Sequence, residues 1–321
     1  MAATVAIPGV SRCLVRRNEL SGIGAVRPGL LRVQIVVHGN DFDSLARCVQ
    51  SVDAASRAVV EDGLVSSVHI AIGDNTAIRA LSSSDIGDLE SMLSRESTSL
   101  SYVHLDKNQG FGATHNCIAA NAAEAVLLFL NPDTYLSPGC ISQMIAKLED
   151  SQVGLVEARQ IPMEHPKEYD PETGDTPWAS GCCLMIRTET FRDVGGFDDV
   201  FFLYCEDVDL SWRVRAKGLR VCIVPTATVF HDKQFDADCR PVPARTEPYQ
   251  SALSSLILTH KYGTDRRVED RIAVFESQGS EPRGDAVSEF RRRQHSGQLP
   301  NRLDIGDIAT FVDYEFAKHR W

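Results

Sequence analysis

The sequence predicts an α/β domain with a mostly parallel central sheet and helices on both faces, followed by a mainly helical C-terminal extension. Three observations predict it. Short apolar runs bounded by polar turns alternate with segments of helical apolar spacing from residue 31 to residue 150, and such alternation makes a sheet covered on both faces. At 321 residues and 43% hydrophobic, the chain suffices for one large domain plus an extension, or for two modest domains. Beyond His231 the sequence turns to linker composition, then to one amphipathic segment and a charged, weakly periodic stretch.

The elements follow in order. LRVQIVVH (31–38) reads as a buried strand and DSLARCVQSVDAA (43–55) as an amphipathic helix. SVHIAIGDN (67–75) is a second strand with a polar end, GDLESMLSR (87–95) a helix, LSYVHL (100–105) a third strand and ATHNCIAANAAEA (113–125) a helix. AVLLFLN (125–131) is a fourth strand, and SPGCISQMIAKLED (137–150) a helix entered through Ser137 and Pro138. After a polar, Pro-rich stretch around 161–177, ASGCCLMIR (179–187) reads as a strand and ETFRDVGGFDD (189–199) as a short helix and turn. EDVDLSWRVRAKG (206–218) has helical spacing with Gly218 as its C-cap. RVCIVPTATVFH (220–231) is extended, and YQSALSSLILTHKYG (249–263) is an amphipathic helix beyond a linker. The expected organisation is a leader over 1–30, an α/β domain over 31–232 and an extension over 233–321.

Composition narrows the function. A net charge of −11 argues against general nucleic-acid binding, which needs clustered Lys and Arg. The run Arg291–Arg292–Arg293 reads as a solvated helix face or tail. The nine cysteines form no CxxC or zinc-type spacing, and their odd count and apolar settings suit reduced thiols in an intracellular compartment. No apolar stretch reaches the ~18 residues of a membrane span. Residues 1–30 carry several Arg and few acids but lack the apolar centre of a secretory signal.

Several motifs lie where such a sheet binds ligands, beyond the carboxyl ends of its strands. NQGFGATHN (108–116) sets Gly110 and Gly112 between a strand and a helix, but His115 stands where a dinucleotide fingerprint has its third glycine, so a tight turn explains the pair equally well. In LNPDT, Asn131 and Asp133 put an amide and a carboxylate at a strand end. One Asp together with substrate phosphates suffices for Mg²⁺ or Mn²⁺, and an Asp-Thr turn is the plain alternative. Glu206, Asp207 and Asp209 crowd the first turn of a helix, where acids favour the dipole; three exceed what a cap needs, and one facing a crevice can act as general base. His231, alone at a strand end, reads as structural unless it converges with Asp133 on one ion.

Taken jointly, GDN, NQGFGATHN, LNPDT, SGCCLMIR, GGFDDVFFLYCEDVDLSWRVRAKG and the final His closely resemble the family 2 glycosyltransferases of GT-A fold, especially the bacterial rhamnosyltransferase-like branch. The resemblance covers about residues 31–263, and NPDT with the GGFDD-to-AKG stretch is its most specific part. It implies that His38, Asp74 and Asn75 hold the nucleotide base, although VVHGN departs from the usual Tyr-Asn pair. Asn108, Gly110, Gly112 and Asn116 match the loop beside the nucleotide sugar. Asp133 matches the metal-binding acid, with Asn131 in place of the first acid, and His231 a further metal or diphosphate ligand. Asp207 is the implied base with Glu206 beside it, and Trp178 and Gly181 lie on the acceptor side, where the indole is a sugar platform or ordinary packing.

The implied activity is inverting, metal-dependent transfer from a dTDP- or UDP-sugar, dTDP-rhamnose among them, to a hydroxyl of a glycan or lipid-linked acceptor in polysaccharide synthesis. The expected location is cytoplasmic, with room for peripheral contact at the inner face of the membrane. The extension could complete the acceptor site, form a homo-oligomer contact or dock on that surface. Two other classes remain: a catalytically degenerate binding module, and a sugar nucleotidyltransferase, which would need a basic loop after the first strand that VVHGNDFDSL lacks.

Overall fold

A computed structural model describes residues 29–238, 242 and 244–320. The expected leader lies almost wholly outside the described residues. In chain order the first elements are β1 (Leu30–Val37), α1 (Phe42–Glu61), β2 (Ser67–Asp74), α2 (Ser83–Ser91), β3 (Thr98–His104), α3 (Phe111–Ala119), β4 (Val126–Leu130) and β5 (Thr134–Leu136). Then come α4 (Cys140–Leu148), β6 (Val153–Ile161), β7 (Cys183–Arg187), α5 (Thr188–Asp193), α6 (Glu206–Ala216), β8 (Arg220–His231), α7 (Glu247–Tyr262), α8 (Asp265–Ser277) and α9 (Glu281–His295).

The eight strands form one sheet in the order β3-β2-β1-β4-β7-β6-β8-β5. The β3-β2-β1-β4 block is parallel, as the strand–helix alternation predicts, and β6 pairs parallel with β8. Strand β7 runs antiparallel between β4 and β6, and β5 antiparallel to β8. Val37 pairs with Asp74 and Ile35 with Leu130, so β1, β2 and β4 end near one edge.

The run LLFL of β4 shows how the two cores arise from a period of two. Leu128 and Leu130 join α1, α4 and the apolar side of β1, while Leu127 and Phe129 join α5, α6 and the Phe191–Phe197 cluster. All four are fully buried, so the strand is apolar throughout and polar only past its end.

The structure departs from the sequence reading where a hydrogen bond outweighs a local preference. The helix expected over 113–125 stops at Ala119, although its last residues favour helix, because Ala125 N–H donates to Leu30 O and Ala125 O accepts from Thr188 N–H. Ser137 is not a cap: its N–H donates to Thr228 O, and α4 starts later, behind Gly139. A capping box between Ser82 and Asp85 starts α2 ahead of residue 87. Strand β6 was not expected, since Glu157, Arg159 and Gln160 interrupt its apolar run.

The extension docks on α6. Trp212, Phe201 and Val208 pack with Leu253, Leu256 and Ile257 of α7 and Phe290 of α9 in one apolar cluster. A buried ion network closes that contact: Asp209 accepts from Lys261 Nζ at 2.5 Å, Tyr262 OH at 2.8 Å and Arg213 Nε at 2.7 Å, and Lys261 also meets Asp198 at 2.7 Å. Arg292 and Arg293 of the basic run pair with Glu289 at 2.7 Å and Arg291 with Glu276 at 3.2 Å. Among the described residues no helix is long and apolar enough to cross a membrane.

Candidate active site

Four sequence-predicted residues form a hydrogen-bonded patch beyond β1 and β2. His38 Nδ1 meets Asn75 O at 2.8 Å and its Nε2 lies 3.3 Å from Asn108 Nδ2. Asn75 is buried; it donates to Asn108 Oδ1 at 2.8 Å and accepts from Gln109 N–H at 2.7 Å. Gly110 needs to be glycine twice over: its φ is +90°, and a Cβ there would collide with the Phe202 carbonyl oxygen. Gly112 lies against Phe197, where a Cβ would come within 2.8 Å of the phenylalanine Cβ.

Asp74 is placed differently from a residue that reaches for a ligand. It is fully buried, and its oxygens accept from Thr76 N–H at 3.1 Å, Thr76 Oγ1 at 2.5 Å, Ala80 N–H at 2.8 Å and Tyr102 OH. Burial works to raise its pKa, but bonds from Thr76, Tyr102 and Ala80 outweigh it and hold the carboxyl below its ordinary value. The charge thereby shapes the 75–80 loop. Asn116 is likewise engaged internally: its Oδ1 accepts from Phe197 N–H at 2.9 Å and its Nδ2 donates to Phe197 O at 2.8 Å and Asp199 at 3.0 Å. It fixes the GGFDD turn.

Asp133 and His231 converge. Pairing of β5 with β8 sets Thr134 opposite His231, and His231 Nε2 lies 3.4 Å from Asp133 Oδ2, whose side chain is 39% exposed. On its other edge His231 Nδ1 meets Gln160 Oε1 at 3.0 Å. That oxygen only accepts, so Nδ1 is the ring's donor to Gln160 and Nε2 is the edge turned to Asp133. Two ligands of one octahedral ion stand about 3 Å apart, so the pair fits a divalent cation completed by phosphate oxygens and water. Among the described residues no group of three or more His, Cys, Asp or Glu side chains gathers as a metal site. Asn131 precedes this pair; its N–H donates to Cys182 O at 3.0 Å, and its carbonyl accepts from Thr134 Oγ1 at 2.6 Å.

The three acids at the start of α6 have three fates. Asp209 is spent on Lys261, Arg213 and Tyr262. Glu206 is buried with Oε2 unpartnered, and burial next to Asp207 pushes its carboxyl well up. Asp207 is only partly buried; its Oδ2 accepts from Gly181 N–H at 2.9 Å and its Oδ1 from Val208 N–H at 2.8 Å. Burial raises its pKa against those two bonds, the direction that strengthens a carboxylate as a base. Tyr204 and Cys205, just ahead of the helix, both have left-handed backbones at φ +67° and +64°, a strain that the packed surroundings maintain.

Trp178 is packing. It is 9% exposed, with Lys167 Nζ 3.9 Å from its ring centroid and the His165 ring edge-on at 5.1 Å. Gly181 and Cys182 join the two halves of the site: Gly181 N–H reaches Asp207, while Cys182 Sγ lies 3.3 Å from His231 Nδ1. Glu157, Gln160, Lys167 and Cys182 were not singled out from sequence. The one available signal is an acid directly after the apolar VGLV in VGLVEARQI.

Residues 35–209 match the family described as Glycosyl transferase family 2. The chain belongs to that family. One curated relative, an N-acetylglucosaminyl-diphospho-decaprenol L-rhamnosyltransferase of Mycobacterium tuberculosis, is 44% identical over 67 residues, 21% of this chain and 22% of its own length. Rhamnosyltransferase WbbL of Escherichia coli is 35% identical over 71 residues, 22% of this chain and 27% of its own. The chain thus spans about a quarter of each. Among solved structures, GalNAc-T7 with UDP, GalNAc and Mn²⁺ superposes with a TM-score of 0.58 at 13% identity, over 84% of this chain and 55% of that one. The likeness shows that this family 2 chain has the GT-A fold.

Proposed function

We propose that this glycosyltransferase moves a sugar, a rhamnosyl group being the first to test, from a dTDP- or UDP-linked donor to a hydroxyl of a glycan or lipid-linked acceptor, with inversion. The observation that carries the reading is the Gly181–Cys182 junction, which ties the candidate base Asp207 to the Asp133–His231 pair through two adjacent residues. The named activities of the rhamnosyltransferase relatives support the donor and acceptor class, and the Mn²⁺ in GalNAc-T7 agrees with the oxygen and imidazole donors here.

In this mechanism His38, Asn75 and Asn108 hold the base and ribose, and Asp74 shapes the 75–80 loop beside them. Asp133 and His231 would hold Mg²⁺ or Mn²⁺, which when bound supplies Lewis-acid neutralisation of the leaving diphosphate. Asp207 accepts the proton of the acceptor hydroxyl as its oxygen bonds to the anomeric carbon and the bond to the diphosphate oxygen breaks. That single displacement inverts the carbon and leaves Asp207 protonated until solvent removes the proton. Glu206, buried and pushed toward its neutral form, adds little repulsion to the Asp207 charge.

Calorimetry with a panel of nucleoside diphosphates and their sugars, with Mn²⁺ or Mg²⁺ and then with chelator, tests the reading. Metal-dependent binding of one pyrimidine diphosphate is the expected result. Absence of binding across the panel would sink it.

A further inference from the structure

Three consecutive backbone N–H groups ahead of β7 go to three different acceptors. Ala179 N–H donates to Ser211 Oγ at 3.0 Å, Ser180 N–H to Glu157 Oε2, and Gly181 N–H to Asp207 Oδ2 at 2.9 Å. Ser211 Oγ in turn donates to Asp207 O at 2.7 Å. The peptide that positions Asp207 is therefore anchored on one side by α6 and on the other by a single carboxylate of β6.

That carboxylate has its own partner. Lys167 Nζ meets Glu157 Oε2 at 2.5 Å, and both side chains are 4% exposed. A buried pair of this kind gives little net stability against apolar replacements, so its presence calls for another account. We propose that Lys167 is a positioning residue for the transfer reaction: through Glu157 it fixes the 180–181 peptide that holds Asp207, and its ammonium keeps the Asp207 carboxylate available as a base. The inference rests on the reading of Asp207 as the base.

The surroundings of Asp207 agree. The groups acting on it are Glu206 on its own helix, the Cys205 thiol before it, the Gly181 and Val208 N–H groups, and the Lys167–Glu157 pair. Burial raises the Asp207 pKa, and Lys167 is the cation that opposes the rise. Lys167 in turn is lowered by burial, against the attraction of Glu157 and Asp207. Its backbone is fixed independently: Lys167 bridges to His319, Glu168 N–H donates to Lys318 O at 2.7 Å, and Arg320 N–H donates to Pro166 O at 2.8 Å.

The test is an NMR titration of the full chain carrying ¹³C at the aspartate carboxyls, with the Asp207 signal assigned by its loss in Asp207→Asn. In Lys167→Met the Asp207 midpoint should rise by about one pH unit or more, as expected for loss of a nearby opposite charge. Lys167→Arg should restore most of the wild-type value. If Lys167→Met does not fold, Lys167→Gln, which is equally neutral but polar, replaces it and should show the same rise. An unmoved midpoint in a folded variant overturns the proposal, as does failure of both neutral versions to fold, which would make Lys167 a core residue. The base reading is judged separately, by donor turnover in Asp207→Asn with a panel of dTDP- and UDP-sugars. Turnover that survives there removes the base and leaves the titration result standing.

Discussion

On the proposed donor side of the crevice, β1, β2 and β4 end near one edge, and residues at or just past the strand ends bond to one another: His38 to Asn75, Asn75 to Asn108 of the loop after β3, and Asp74 to its own loop. On the base side, Asp207 depends on groups from β6, the 165–181 segment and α6, and α6 is itself held by Lys261 of the extension. The donor side is assembled largely by sheet register. The base side is assembled by buried charges brought from distant parts of the chain, so its geometry is sensitive to residues that never meet substrate.

If the halves are as separable as that contrast suggests, substitutions should split binding from turnover. The largest effect is expected for Asp207→Asn: turnover falls by about 10²–10⁴-fold, while calorimetry shows metal-dependent nucleotide binding intact. Asp133→Ala should lose both turnover and metal-dependent binding, and equal nucleotide affinity with and without chelator in that variant is the result to look for. Lys261→Met leaves Asp209 and Asp198 short of a cation in a buried network and should cost about 3–5 kcal/mol in denaturant unfolding. Unchanged stability would mean that the extension is not held as described. Gln160→Ala removes the acceptor that orients His231 and should weaken the metal by about 10–100-fold, read from Mn²⁺ titration of nucleotide binding.

The smallest effect concerns His115, fully buried near Phe111, Phe129 and Phe197, where burial pushes its pKa from 6.5 down to about 3. The folded chain keeps this ring neutral while the unfolded chain protonates it. Its contribution is therefore complete above pH 6.5 and lost as pH falls from there toward about 3, by at most about 1.4 kcal/mol per pH unit. His115→Gln should flatten that slope in unfolding curves measured between pH 7 and 5; an identical slope removes the assignment.

Much of the donor side was legible in the sequence because its signals are local. A buried run that ends in Asn131 and Asp133, or in Asp74 and Asn75, marks a strand end by itself. The sequence could not show that Asp74 and Asn116 are consumed by internal bonds, since Thr76, Tyr102 and Ala80 or Phe197 and Asp199 meet them only after folding. On the base side, EDVD revealed the acids but not their division of labour, which Lys261 and Gly181 decide from 52 and 26 residues away. Glu157 and Lys167 were illegible for the same reason: each is an ordinary surface residue type until the other is placed beside it.

The bridges from Pro166 and Glu168 to Lys318 and Arg320 have a practical consequence. They work as a latch on the segment that carries Lys167, closed by these backbone hydrogen bonds and by the Arg320 guanidinium, which pairs with Glu164 at 2.7 Å and lies over the Tyr169 ring. The donor strands lie outside its reach. Cutting the chain ahead of Lys318 is therefore a distant mutation of the base side: it should lower turnover while leaving nucleotide affinity intact.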